Sequence, residues 1–116
     1  MEINQEIIVS LLEGTGIAVD CVENGKDALD KMATDGDKYD IVLMDMQMPT
    51  MDGLEATRRI RTLPAVWCKQ IPIIAMTANV FKADVERCIA AGMNDHIGKP
   101  IDLNIVHAKL RSYLQG

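Results

Sequence analysis

Three polar side chains of this 116-residue chain have the types and positions to act together. Asp45 and Thr77 each end a run of four apolar residues, and Lys99 follows a weaker run centred on Ile97. If these runs are parallel strands, their carboxyl ends meet at one edge of a sheet, where such folds bind ligands. A carboxylate there can attack phosphorus and become an acyl phosphate, while a hydroxyl and an ammonium group bind the phosphoryl oxygens. The three residues therefore predict phosphoryl chemistry.

Each residue also has a plain structural interpretation. Asp45 could cap a helix or form a turn, Thr77 could be an exposed hydroxyl at a strand end, and Lys99 could be a solvated charge. Their common position after successive strands favours the functional interpretation. Since Lys99 precedes Pro100, the peptide bond between them could be cis and so aim the lysine.

The elements that must position these residues alternate along the chain. Apolar runs predict four short strands, at residues 17–22, 41–44, 73–76 and around Ile97. Amphipathic stretches predict five helices, at residues 3–12, from Asn24-Gly25 through Met32, at 53–63, at 84–91 before Gly92, and after Asp102. The segment around Trp67 and Cys68 is predicted to be a loop. This alternation predicts an α/β fold, a doubly wound parallel sheet in one domain spanning residues 1–116.

Charge and composition exclude several classes of function. A net charge of −5 argues against binding to nucleic acid or to anionic membrane surfaces. No apolar run approaches the ~18 residues of a membrane span, and the N-terminus has no signal-like pattern. Cys21, Cys68 and Cys88 lie far apart, which fits reduced thiols in a cytoplasmic protein rather than a zinc site.

Four segments together resemble the response-regulator receiver domain of two-component signalling. They are the stretch Ile-Val-Leu-Met-Asp-Met-Gln-Met-Pro-Thr-Met-Asp-Gly around Asp45, Pro-Ile-Ile-Ala-Met-Thr-Ala around Thr77, Ala-Gly-Met at 91–93, and Lys99-Pro100. Their order and spacing match over nearly the whole chain. The Thr-Ala-Asn and Ala-Gly-Met-Asn-Asp segments look most like receivers of hybrid sensor histidine kinases.

The resemblance implies a flavodoxin-like fold and a role for each site residue. Asp45 would accept a phosphoryl group from a phosphohistidine of a histidine kinase or a histidine phosphotransfer domain. Lys99 and Thr77 would contact that group, and Thr77 would shift toward it as a switch. Mg²⁺ would be bound by Asp45 and the backbone carbonyl of Gln47. The domain would be a phosphoacceptor that catalyses its own transfer, with any kinase activity in another domain.

The first departure from the family pattern lies at the N-terminus. Receivers begin with a strand that ends in an acidic pair for Mg²⁺, whereas this chain opens in a helical pattern and retains only Glu2 nearby. We therefore expect a fold truncated by its first strand, with weak metal binding and poor phosphorylation. We also expect the gap to close by rearranged strand pairing or to be covered by another chain, as in a homo-oligomer.

The second departure is His96, where many receivers carry Tyr or Phe as the partner of the switching hydroxyl. A partly buried ring with a satisfied hydrogen bond is the simpler expectation. A histidine there could also weaken the switch or make it sensitive to pH.

Three other functions compete with the receiver interpretation. A phosphatase with an aspartyl nucleophile would need a second carboxylate two residues after the first, but Gln47 stands there. A docking module would keep the fold and bind partners without phosphorylation. A flavodoxin-like cofactor binder would need a Gly-rich or Ser/Thr-rich phosphate loop after a strand, which the sequence lacks.

Overall fold

The fold is built on three parallel strands. A computed structural model describes residues 3–48, 50–78 and 81–114, without the side chains of residues 3 and 4. The strands are β1 (Val42–Asp45), β2 (Ile73–Thr77) and β3 (Asp95–Gly98), in the order β1-β2-β3. All five residues of β2 are buried, which fits a central strand covered on both faces.

Helices cover both faces of this sheet. They are α1 (Ile3–Leu12), α2 (Gly25–Asp35), α3 (Gly53–Thr62), α4 (Val66–Gln70), α5 (Lys82–Ala91) and α6 (Leu103–Leu114), with a 3₁₀ turn at Gly36–Lys38. None of the helices in the described ranges is long and apolar enough to cross a bilayer.

Side-chain caps fix where the helices begin and end. Asn24 accepts a hydrogen bond from the Asp27 N–H at 2.8 Å at the start of α2. Asp102 accepts from the Asn104 N–H at 2.8 Å at the start of α6. Gly92 ends α5 with φ +110°, a left-handed conformation that favours glycine. These three caps were predicted from the sequence and are confirmed.

Alternate residues of each strand feed two separate hydrophobic cores. Ile73 and Ala75 of β2 pack on one face, whereas Ile74 and Met76 pack on the other. The first core includes Met32 of α2, Leu54 and Ile60 of α3, Cys68 of α4 and Cys88 of α5. The second includes Ile8 and Leu12 of α1, and Val106 and Leu110 of α6. The sheet is therefore doubly wound, as predicted.

The predicted strand at residues 17–22 is wrong. The segment has strand-forming residues, but it carries no regular secondary structure. A strand needs a neighbour to complete its hydrogen bonds, and no described residue pairs with this segment. The expected rearranged pairing is also wrong for the described part of the chain, because β1 pairs with β2 alone.

The loop predicted around Trp67 is a second error. Val66–Gln70 form the single-turn helix α4, which is too short for sequence periodicity to reveal. Its helical turn buries Cys68 completely in the first core. Helix α5 begins at Lys82, two residues before the predicted start at Asp84. The predictions that involve Glu2, Pro49 and Asn79 lie outside the described residues.

Arg61 connects several elements that are distant in sequence. Its Nε donates to the Gly92 carbonyl at 3.0 Å, one Nη to the Cys68 carbonyl at 3.1 Å, and the other to Asn94 Oδ1 at 2.9 Å. The same Asn94 oxygen accepts the Ile73 N–H at 2.9 Å, at the start of β2. Burial lowers the pKa of the Arg61 guanidinium, as expected for a cation taken out of water.

We expect Arg61→Ala to lower the free energy of unfolding by about 2 kcal/mol, because three acceptors each lose a hydrogen bond from the guanidinium group. Arg58→Ala is the matched control, since Arg58 is exposed on the same helix and should cost less than about 0.5 kcal/mol. Urea denaturation of the two variants measures the difference. Equal costs would contradict a connecting role for Arg61.

Asp95 opens β3 among three donors from α6 and its own strand. Its Oδ1 accepts the Lys109 ammonium group and the His96 N–H, each at 2.8 Å, and its Oδ2 accepts the Tyr113 hydroxyl at 3.3 Å. Burial alone would raise the pKa of Asp95, but these hydrogen bonds and the Lys109 charge outweigh it. The pKa therefore lies below its usual value of 3.8.

This lowered pKa makes part of the stability depend on pH. A carboxylate with a depressed folded-state pKa stabilises the fold above its unfolded pKa, and this contribution is lost as pH falls through the folded value. We expect Asp95→Asn to be less stable than the parent at pH 7, and we expect the gap to shrink below about pH 4. Urea denaturation midpoints of both proteins, measured from pH 7 down to below about pH 4, give this difference in stability. A gap independent of pH would contradict the ionic origin.

Candidate functional site

Asp45 is the last residue of β1 and is only 9% exposed. One carboxylate oxygen, Oδ1, accepts the Gln47 N–H at 2.9 Å and the Lys99 ammonium group at 3.0 Å. The described residues donate no hydrogen bond to the other oxygen, Oδ2. Two described donors thus orient the carboxylate through Oδ1, and no described residue occupies the lone pairs of Oδ2.

The Lys99 ammonium group is brought to Asp45 by the end of the sheet. The Lys99 N–H donates to the Thr77 carbonyl at 2.8 Å, which continues the ladder between β2 and β3 past the last residue of β3. The bond between Lys99 and Pro100 is cis, one of the two alternatives that the sequence left open. The two charged side chains are 17% and 11% exposed, so water screens their attraction only in part.

Thr77 ends β2 at the same edge of the sheet. Asp45 is paired with Met76 and Thr77 with Gly98, so the three predicted site residues lie within two residues of one another along the strand direction. Thr77 is 7% exposed. The structure therefore brings Asp45 and Lys99 into direct contact and positions Thr77 at the strand end beside them.

His96 lies on the same face of the sheet as Thr77. It is paired with Ala75 of β2, two residues before the pairing of Thr77 with Gly98. Its ring is 35% exposed, and its Nδ1 lies 3.8 Å from Asp95 Oδ1. The ring is partly buried, as predicted. The hydrogen bond predicted with it is not found among the described residues, since 3.8 Å is too long for one.

The donors present fit Mg²⁺ in kind but supply only part of a ligand set. Magnesium prefers oxygen ligands, such as the Asp45 carboxylate and a backbone carbonyl at Gln47. The described residues contain no group of three or more His, Cys, Asp or Glu side chains that could hold a metal ion. The described residues would therefore supply an ion at Asp45 with only part of its oxygen ligands.

Two glycines allow close approach around the loop that follows Asp45. The Gly25 N–H donates to the Met51 carbonyl at 2.9 Å, and a Cβ at Gly25 would lie 2.2 Å from that oxygen. A Cβ at Gly53 would lie 2.4 Å from the Asp45 carbonyl oxygen. The sequence suggested a helix cap at Gly25, but the contact between α2 and this loop was not predicted, because it joins residues distant along the chain.

Comparisons with known proteins agree with this geometry. Residues 1–111 match the family described as the response regulator receiver domain. The chain is 42% identical over 113 residues to hybrid signal transduction histidine kinase L of Dictyostelium discoideum. The aligned region covers 96% of this chain and 7% of the kinase. The chain therefore corresponds to a small part of that relative.

Two solved structures are also similar. One is the receiver domain of the sensor histidine kinase PA1611 from Pseudomonas aeruginosa, which has Mg²⁺ coordinated in its active-site cleft. It is 35% identical with a TM-score of 0.86, over 98% of this chain and 90% of that one.

The other is the complex of the Saccharomyces cerevisiae phosphotransfer protein Ypd1 with the receiver domain of Ssk1. The matching chain of that complex is 28% identical to this chain with a TM-score of 0.84, and the alignment covers 96% of this chain and 81% of the matching one. The same conclusion follows from the family match, from the parallel sheet and from the Asp45–Lys99 pair at the carboxyl edge of that sheet. The chain belongs to the response-regulator receiver domain family of two-component signalling.

Proposed function

We propose that Asp45 is the phosphoacceptor of this domain. The supporting observation is the 3.0 Å contact between Lys99 Nζ and Asp45 Oδ1 at a largely buried edge of the sheet. The lysine holds the carboxylate in place and offers a positive charge to the incoming phosphoryl group, where negative charge accumulates. The other carboxylate oxygen, to which none of the described residues donates, is available for attack on phosphorus.

The donor is a phosphohistidine on a histidine kinase or a phosphotransfer protein. The carboxylate oxygen of Asp45 forms a bond to phosphorus while the bond from phosphorus to the donor's imidazole nitrogen breaks, and the ring leaves with that electron pair. The Ypd1–Ssk1 complex supports this class of partner, since it joins a phosphotransfer protein to a receiver of the same fold. The domain acts as acceptor and catalyst of its own phosphorylation.

Thr77 and His96 form the switch in this proposal. After phosphorylation, the Thr77 hydroxyl binds a phosphoryl oxygen beside Lys99. His96 lies on the same sheet face two residues away and responds to that shift.

Asp45 and the Gln47 carbonyl would hold Mg²⁺, which would offset the repulsion between the carboxylate and the incoming phosphoryl group. Its binding is weak, because these two ligands are the only ones the proposal assigns to the protein. The phosphorylation of this chain is correspondingly slow. A homo-oligomer and a cytoplasmic location stay predictions from the sequence.

The first test of this proposal is intact mass after treatment with acetyl phosphate and Mg²⁺. We expect a gain of one phosphoryl group that Asp45→Asn abolishes. Asp52→Asn is the matched control, since Asp52 caps α3 in the next loop and should leave the gain unchanged. A gain retained in Asp45→Asn would overturn the assignment. Steady turnover of a generic phosphate ester would instead favour the phosphatase.

Lys99→Ala tests the charge that defines the site. We expect the phosphorylation rate to fall by about 10²-fold, because a group that stabilises developing charge is removed. Lys82→Ala is the control, since the Lys82 side chain is 91% exposed and should have no effect. Time courses of the mass gain measure both rates. Equal rates for the two variants would contradict a role for Lys99, and partner binding unaffected by Asp45→Asn and Lys99→Ala would favour the docking module.

A further inference from the structure

The residues that follow Asp45 form a loop whose two ends both lie beside Asp45. We call residues 46–52 the acceptor loop. At its start the Met46 N–H donates to a carbonyl of β2 at 3.1 Å, and the Gln47 N–H donates to Asp45 Oδ1 at 2.9 Å. Just past its end, a Cβ at Gly53 would lie 2.4 Å from the Asp45 carbonyl oxygen. The acceptor loop therefore has little freedom at either end.

The middle of the acceptor loop has a backbone conformation that is unfavourable for its residue. Thr50 has φ +69°, in the left-handed region, and it is the one non-glycine residue with a positive φ in the described ranges. A β-branched residue is an outlier there, because its side chain crowds its own backbone. Such a conformation persists only where the surrounding structure holds it. The loop therefore needs a contact near Thr50 that fixes its backbone.

That contact is made by Gly25, the first residue of α2. Its N–H donates to the carbonyl of Met51, the residue after Thr50, at 2.9 Å. Gly25 is buried, and a Cβ on it would lie 2.2 Å from the Met51 oxygen and 2.8 Å from the Met51 carbonyl carbon. The two backbones touch, which a residue with a side chain would prevent. Within the described ranges, no other backbone hydrogen bond joins residues 47–51 to an element outside the loop.

The elements on both sides of this contact are fixed. Ala28 and Met32 hold α2 in place, since both are buried in the first core. Beyond Met51, α3 is held by its side-chain cap and by the close approach of Gly53 to the Asp45 carbonyl. A methyl group at position 25 would therefore displace the Met51 carbonyl rather than the helix or the start of α3.

The part of the acceptor loop that is left to move is residues 47–50. It begins with Gln47, whose N–H orients Asp45 Oδ1 and whose carbonyl is the proposed ligand for Mg²⁺. We propose that Gly25 is a positioning residue for phosphoryl transfer, because it holds the acceptor loop in the conformation in which Gln47 orients the Asp45 carboxylate. This role rests on Asp45 being the phosphoacceptor. Gly25 contacts no reacting atom and acts through the loop.

Gly25→Ala tests this role, and amide hydrogen exchange measures the effect on the loop without any phosphorylation. We expect the Gln47 amide to exchange about tenfold faster in Gly25→Ala, because its hydrogen bond to Asp45 is formed for less of the time. Urea denaturation of the same variant measures the accompanying loss of global stability. Local opening at Gln47 is thereby separated from weakening of the whole fold.

Gly36→Ala is the matched control at the other end of α2. A Cβ there would lie 2.6 Å from Trp67 Nε1, so this variant also crowds the helix and lowers stability, but against a side chain away from the acceptor loop. We expect the Gln47 exchange rate to change by less than about twofold in Gly36→Ala. A general loss of stability would act on Gln47 in both variants.

The rate of phosphorylation by acetyl phosphate and Mg²⁺ is the second measurement. We expect it to fall about tenfold in Gly25→Ala and less than about twofold in Gly36→Ala, because a misoriented nucleophile reacts slowly. Unchanged Gln47 exchange in Gly25→Ala, equal acceleration in both variants, or faster exchange with an unchanged rate would each overturn the role of Gly25. No uptake of the phosphoryl group by the parent protein would overturn the proposed function as well.

If Gly25→Ala does not fold, hydrogen exchange in the parent protein decides. The Gly25 amide, whose proton lies in the contact with Met51, and the Gln47 amide should lose their protection at the same urea concentration. That concentration should be lower than the one at which the amides of β2 begin to exchange. Loss of protection at Gly25 and Gln47 at different urea concentrations would overturn the proposal.

Discussion

The structure depends on the pairing of β2 with a strand on each side. This central strand is wholly buried, so its backbone groups must be satisfied within the sheet. The ladders continue past the ends of both neighbours, since Met46 donates to Met76 and Lys99 donates to Thr77. These two bonds fix the residues that follow β1 and β3. The contact between Asp45 and Lys99 is therefore a consequence of how β2 ends.

The charged pair at that edge is better explained by chemistry than by stability. Removing two charges from water costs free energy that their attraction repays only in part, so such pairs add little to folding. Here the two donors to Asp45 in the described part of the chain reach a single carboxylate oxygen, and no described residue donates to the other. A pair that served packing alone would gain from satisfying both oxygens. The arrangement suits a carboxylate that must accept another group.

The sequence was sufficient where the cause of structure is local or periodic. The caps at Asn24 and Asp102, the left-handed Gly92 and the runs ending at Asp45 and Thr77 each follow from residue type and spacing. Convergence of Asp45 with Lys99 also followed, because parallel strands bring their ends together.

What the sequence missed depends on contacts between distant residues. The hydrogen bonds of Arg61 were not predicted, because nothing near it in the chain reveals the carbonyls of Cys68 and Gly92. Helix α4 is one turn long, and burial of Cys68 rather than periodicity accounts for it. At residues 17–22 the error was the reverse, since the sequence predicted a strand that the structure does not have. Their local preference for a strand is real, but a strand exists only where a neighbour completes its hydrogen bonds.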